Sequence, residues 1–77
     1  MEIGYILVRI LPRYEISVYK KLKRLKEVAE VSPIYGDYDF IVKLKIKSYD
    51  IIGKFVIEKL RTIDGIKRIK TLSGTKL

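Results

Sequence analysis

Gly4-Tyr5-Ile6-Leu7-Val8-Arg9-Ile10-Leu11 puts apolar side chains on both faces of an extended chain, Ile6, Val8 and Ile10 on one and Tyr5, Leu7 and Leu11 on the other. Such a segment predicts a strand in a sheet covered on both sides. A single layer of helices covers only one face. Tyr5, Leu7 and Leu11 therefore need a second cover, most simply another subunit, and the pattern predicts a dimer interface built on them.

Pro12 ends this strand. From about Tyr14 to Lys26, Val18, Leu22 and Leu25 recur at helical spacing among Lys20, Lys21, Lys23 and Arg24, which predicts a short amphipathic helix. Val28 to Tyr35 returns to strand character. Pro33 inside it cannot donate to a ladder, so this strand is expected at an edge or with a bulge at the proline. Phe40 to Lys47 alternates, with Phe40, Val42, Leu44 and Ile46 inward and Lys43, Lys45 and Lys47 on a solvated or anion-facing row. Ser48 or Asp50 can cap a second helix from about Tyr49 to Ile63, with Ile52, Phe55, Val56, Leu60 and Ile63 as its apolar stripe and Gly65 as its stop. Ile66 to about Ser73 is the last strand.

The resulting order, βαββαβ, is the split βαβ, ferredoxin-like plan: an α+β domain with an antiparallel four-stranded sheet, two helices on one face, and the other face packed in a dimer. Leu25, Val28 and Val31 share their offsets with Leu60, Ile63 and Ile66 where each helix feeds a strand, so both halves follow one design. With no linker or low-complexity tract, residues 1–77 are expected to form a single domain.

At 48% hydrophobic and 34% charged residues the chain is of globular composition. Domains this short bury only about 60 to 65% of their unfolded surface, so association with a second copy adds much to stability. Cysteine, histidine and tryptophan are absent, which removes disulfides, zinc clusters, thiol nucleophiles and imidazole bases; no enzyme activity, cofactor or metal is expected. Asparagine and glutamine are absent too, while Lys and Arg number 17 against nine acidic residues, a bias associated with thermophiles. The opening Met1 to Tyr5 has no basic region ahead of an apolar stretch, and no apolar run approaches the roughly 18 residues of a membrane span, so a cytoplasmic protein is expected. The charge of +8 suits nucleic acid, an anionic membrane surface or a solvated coat.

Gly36-Asp37-Tyr38-Asp39 joins the second and third predicted strands. Gly36 can adopt positive φ and open backbone N–H groups toward a carboxylate, while an ionised aspartate receives an ammonium; those are the two ends of an amino acid. The same residues make an ordinary solvated hairpin, and Asp37 with Asp39 also fits a weak cation site or a carboxylate pair. The Tyr38 ring could wall a pocket, whereas Tyr5 and Tyr19 fit core or interface edges. RNA-recognition domains share the topology, but here Asp37 stands where an aromatic is wanted and the following outward residues are lysines, which hold phosphate without stacking. Specific nucleic-acid binding is not expected.

The Gly-x-Tyr-Asp turn entering the third strand, together with Thr71 in the last, gives the chain a resemblance to the effector-binding (RAM) domain of the leucine-responsive regulator family, Lrp/AsnC. It extends from Tyr5-Ile-Leu-Val-Arg9 through Gly36 to Asp39 and on to Ile66-Lys-Arg-Ile-Lys-Thr71-Leu72. Such regulators usually carry a helix-turn-helix domain ahead of this one, so the 77 residues resemble the stand-alone form. The resemblance implies sheets packed face to face in a homodimer, dimers assembled into a ring, often an octamer, and amino-acid effectors bound between dimers. Gly36, Asp37, Tyr38 and Asp39 would line the effector pocket, with Thr71 near it. Two positions depart from the pattern: Tyr35 precedes the glycine where a small hydroxyl residue is frequent, and Ile69 stands where a second threonine often does. A more apolar floor would favour Leu, Ile, Met or an aromatic amino acid. The expected role is an amino-acid sensor acting on transcription by co-assembly with DNA-binding relatives or by sequestering effector. The alternatives are a basic nucleic-acid-binding protein and an ACT-like regulatory subunit of a metabolic enzyme.

Overall fold

A computed structural model describes residues 2–72. Strand β1 (Glu2–Ile10) leads to helix α1 (Glu15–Arg24), strands β2 (Val28–Pro33) and β3 (Phe40–Ile46), helix α2 (Ile51–Phe55) continued by a π-helical segment (Val56–Leu60), and strand β4 (Ile66–Thr71). The sheet order is β2-β3-β1-β4 with every neighbouring pair antiparallel, the ferredoxin-like α+β arrangement that the alternating and helical apolar patterns dictate. Ser73 lies outside the described residues.

The core forms where the inward residues of β1 and β3 meet the helices. Ile6, Val8, Val42 and Leu44 are wholly buried, as are Val18 and Leu22 of α1 and Leu60 of the π segment. Each such side chain contributes about 1.5–3 kcal/mol by leaving water. Leu25, Ile63, Ile66 and Ile69 pack at the margin of this cluster, and Tyr19 lies against Phe40 with ring centroids 6.0 Å apart.

The expectation for Pro33 is met, since it closes β2 and β2 is an edge strand; β2 is separately irregular between Val28 and Glu30, where Ala29 is the extra residue. Other local expectations are revised. Neither Ser48 nor Asp50 caps α2 through its side chain; the amides of Ile51 and Ile52 donate to the carbonyls of Ser48 and Tyr49, and the Tyr49 amide donates to Glu2 Oε1. The helix also stops at Leu60, not Ile63. Its last turn widens to π geometry, with the Arg61 amide reaching back to the Val56 carbonyl, while Phe55 and Val56 both face the core as the apolar stripe requires. Gly65 therefore does not terminate the helix. At φ 99° it allows a close approach: a Cβ there would stand 2.4 Å from Tyr14 Cβ, and its carbonyl accepts the Leu11 amide.

Among the described residues one ion pair stands out, between Lys59 of the π segment and Glu27 just before β2. Burial pulls the Glu27 carboxyl upward, but the hydrogen bond from Lys59, a backbone hydrogen bond, and the charges of Lys59 and Lys26 outweigh it and hold the group below its ordinary value. No described helix is long and apolar enough to cross a membrane.

Candidate functional site

The loop from Ile34 to Asp39 is held from both ends of its backbone and from beneath. The Ile34 amide donates to the Asp39 carbonyl at 3.0 Å, and the Asp39 amide donates to the Val8 carbonyl at 2.8 Å. Gly36 has φ 109°, the positive value expected for a glycine turn. Its orientation serves a contact that the sequence pattern did not announce: Arg9 Nη1 donates to the Asp37 carbonyl at 2.7 Å and to the Gly36 carbonyl at 3.4 Å. The only sign of this role in the sequence is one cation among the outward apolar residues of β1.

Asp39 is committed to the backbone. Its Oδ2 accepts the Ile10 amide at 2.7 Å, prolonging the β1–β3 ladder beyond Val8 and Phe40, the last paired residues. This bond adjoins an irregularity on the other side of β1: Arg9 is opposite Arg68 and Ile10 is opposite Ile66, so Lys67 is the extra residue of β4. One of the two Asp39 carboxylate oxygens is thus already used within the framework of the loop. Asp37 is exposed and Tyr38 half-buried, while Tyr35 at 104% relative exposure is entirely outside the packed structure.

Thr71 is not brought to this loop within one chain. It lies opposite Ile6, four residues along β1 from the Ile10 amide, and lines a groove of about 500 Å³ with Val56, Arg61, Ile66 and Arg68.

The sheet face opposite the helices carries the predicted dimer residues. Tyr5 remains 40% exposed, Leu7 is half-buried, and Leu11 follows the end of β1 at 39% exposure. The register adds a feature that the separate strand readings did not reveal. Tyr5 is opposite Lys43, Leu7 is opposite Ile41 and Lys70, and Ile3 is opposite Lys45. Directly paired residues share a face. Lys43 and Lys45 are therefore interleaved with the apolar strip and do not form a separate solvated side, and Arg9, Arg68 and Lys70 complete a cationic border along it.

Residues 4–73 match the Lrp/AsnC ligand binding domain family. An uncharacterized HTH-type transcriptional regulator of Pyrococcus furiosus is 30% identical over 72 residues, 90% of this chain and 48% of the relative. The chain thus spans about half the length of the curated relatives of this kind. Homocitrate synthase of Sulfolobus acidocaldarius is 34% identical over 58 residues, 75% of this chain but 12% of that enzyme. The crystal structure of FFRP-DM1 superposes with a TM-score of 0.84 at 32% identity, covering 94% of this chain and 96% of that one. A transcriptional regulator of Neisseria meningitidis, solved with L-Met, has the same fold: TM-score 0.81, 15% identity, 90% of this chain and 46% of that one.

Proposed function

We propose, from the premise that this chain belongs to the Lrp/AsnC ligand-binding domain family, that it is a non-enzymatic amino-acid sensor whose oligomers couple effector concentration to transcription. The observation that carries this reading is the Gly36 to Asp39 loop, fixed by Arg9 and Asp39 in a domain of that family. A fixed loop recognises a small zwitterion without first losing the entropy of ordering. Methionine bound to the Neisseria regulator supports the ligand class. The half-exposed Tyr5 and Leu7 face supports a homodimer, and assembly into larger rings of up to eight chains is the family-derived extension of it. Co-assembly with DNA-binding relatives is the proposed route to transcription.

The mechanism is linkage. An effector that binds only one assembly state stabilises that state by about 2.7 kcal/mol at a hundredfold excess over its dissociation constant. Calorimetric titration with each of the twenty L-amino acids, with molar mass by light scattering on the same samples, tests it. Saturable binding of one or a few, with a mass that changes on binding, is the expected result; twenty flat titrations reject the sensor.

A second reading has its own observation. The match inside homocitrate synthase favours a domain that regulates a biosynthetic enzyme by the same amino-acid binding. Purification from native cells separates the two, since the first reading expects a DNA-binding regulator as the bound partner and the second an enzyme.

A further inference from the structure

Arg9 and Arg68 stand directly opposite each other on β1 and β4 and therefore share the sheet face away from the helices. Like charges facing each other across a ladder are destabilising unless something neutralises them. Among the described residues neither guanidinium has a carboxylate partner, and the one ion pair lies elsewhere, between Lys59 and Glu27. Lys70, two residues beyond Arg68 and opposite Leu7, adds a third cation, and the extra residue Lys67 breaks the ladder at the same point. Arg9 is also hydrogen-bonded to the Gly36 and Asp37 carbonyls, which ties this member of the pair to the candidate effector loop, with Arg68 beside it through the ladder register alone.

We infer that Arg9 and Arg68 are the carboxylate-recognition pair of the effector site. The inference deepens the sensor reading and rests on it. The Gly36 and Asp37 carbonyls hold Arg9 at one corner of its guanidinium, and Arg68 across the ladder supplies the second set of donors. A planar carboxylate accepts two parallel N–H bonds from a guanidinium, the geometry that makes arginine better suited than lysine to this task. Bound there, the α-carboxylate neutralises the pair and lies beside the loop whose residues meet the rest of the ligand. The backbone amides near Gly36 then need not carry carboxylate recognition alone.

The test uses Arg68→Gln, because Arg68 is exposed and makes no described side-chain hydrogen bond to the loop, with circular dichroism to verify folding. The twenty L-amino acids are titrated into the full chain, and each one that binds is repeated as its α-amide, which lacks the negative charge. Loss of a charge-assisted hydrogen bond predicts about tenfold or greater weakening of the acid by Arg68→Gln, and a preference for acid over amide that is large in the wild type and collapses in the variant. Undiminished binding of the acid to Arg68→Gln overturns the inference and leaves the sensor standing. A lowered molar mass with unchanged affinity also overturns it, since the arginines would then be neutralised by a second copy. Failure of every amino acid to bind the wild type removes both.

Discussion

Asp39 shows how one side chain can serve the framework of a candidate site. Its Oδ2 satisfies the Ile10 amide just ahead of the point where β3 enters the ladder, so Asp39→Ala leaves that donor unpaired and is expected to lower stability by about 1–3 kcal/mol, measured by urea denaturation. Asp39→Asn keeps an acceptor oxygen and is expected to recover most of the loss. A binding defect in the alanine variant alone therefore reports on the loop, whereas a defect in the asparagine variant at preserved stability reports on the charge. Gly36 was legible from the sequence because a glycine before two aspartates has few uses other than a positive-φ turn. The contacts of Arg9 and Asp39 were not, since they join residues 28 and 29 positions apart, and that proximity depends on strand order, not on local pattern.

At the scale of elements, the strands were read nearly to their ends because period-two alternation follows directly from backbone geometry. The second helix was not: spacing at Ile52, Phe55, Val56 and Leu60 fits α and π turns alike, so the pattern carries no mark of the widened turn in which Val56 and Leu60 are buried. That segment is tied to the start of β2 by Lys59 and Glu27. Because the folded-state carboxyl of Glu27 is lowered, its contribution is complete above the unfolded carboxylate range and fades as pH falls through the lower folded value. Glu27→Gln is expected to flatten the acid limb of the stability curve, seen in thermal unfolding between about pH 6 and pH 3. With Lys59 itself 38% exposed, the difference at neutral pH is expected to stay near or below about 1 kcal/mol.

For the molecule as a whole, both faces of β1 were legible as apolar, but the cations that border the open face were distributed over β1, β3 and β4 and became neighbours only through the register. The proposed dimer must accommodate them as well as Tyr5 and Leu7. Leu7→Lys adds another cation beside Lys70 and removes the central apolar contact; loss of about 1.5–3 kcal/mol weakens the dimer by roughly tenfold or more, read as a fall in molar mass on dilution in light scattering. The lysine-rich, amide-free composition accords with a relative from Pyrococcus, since a bias toward charged residues and away from Asn and Gln is the compositional mark of hot environments. The two outer strands have another consequence. β2 ends in Pro33 and bulges at Ala29, while β4 bulges at Lys67 and carries Arg68 and Lys70, so each rim presents an interrupted, charged or donor-deficient backbone to an incoming strand. Rims of this kind resist edge-to-edge pairing, so the assembly proposed above is expected to join its copies through side chains on the sheet face and not by open-ended strand addition.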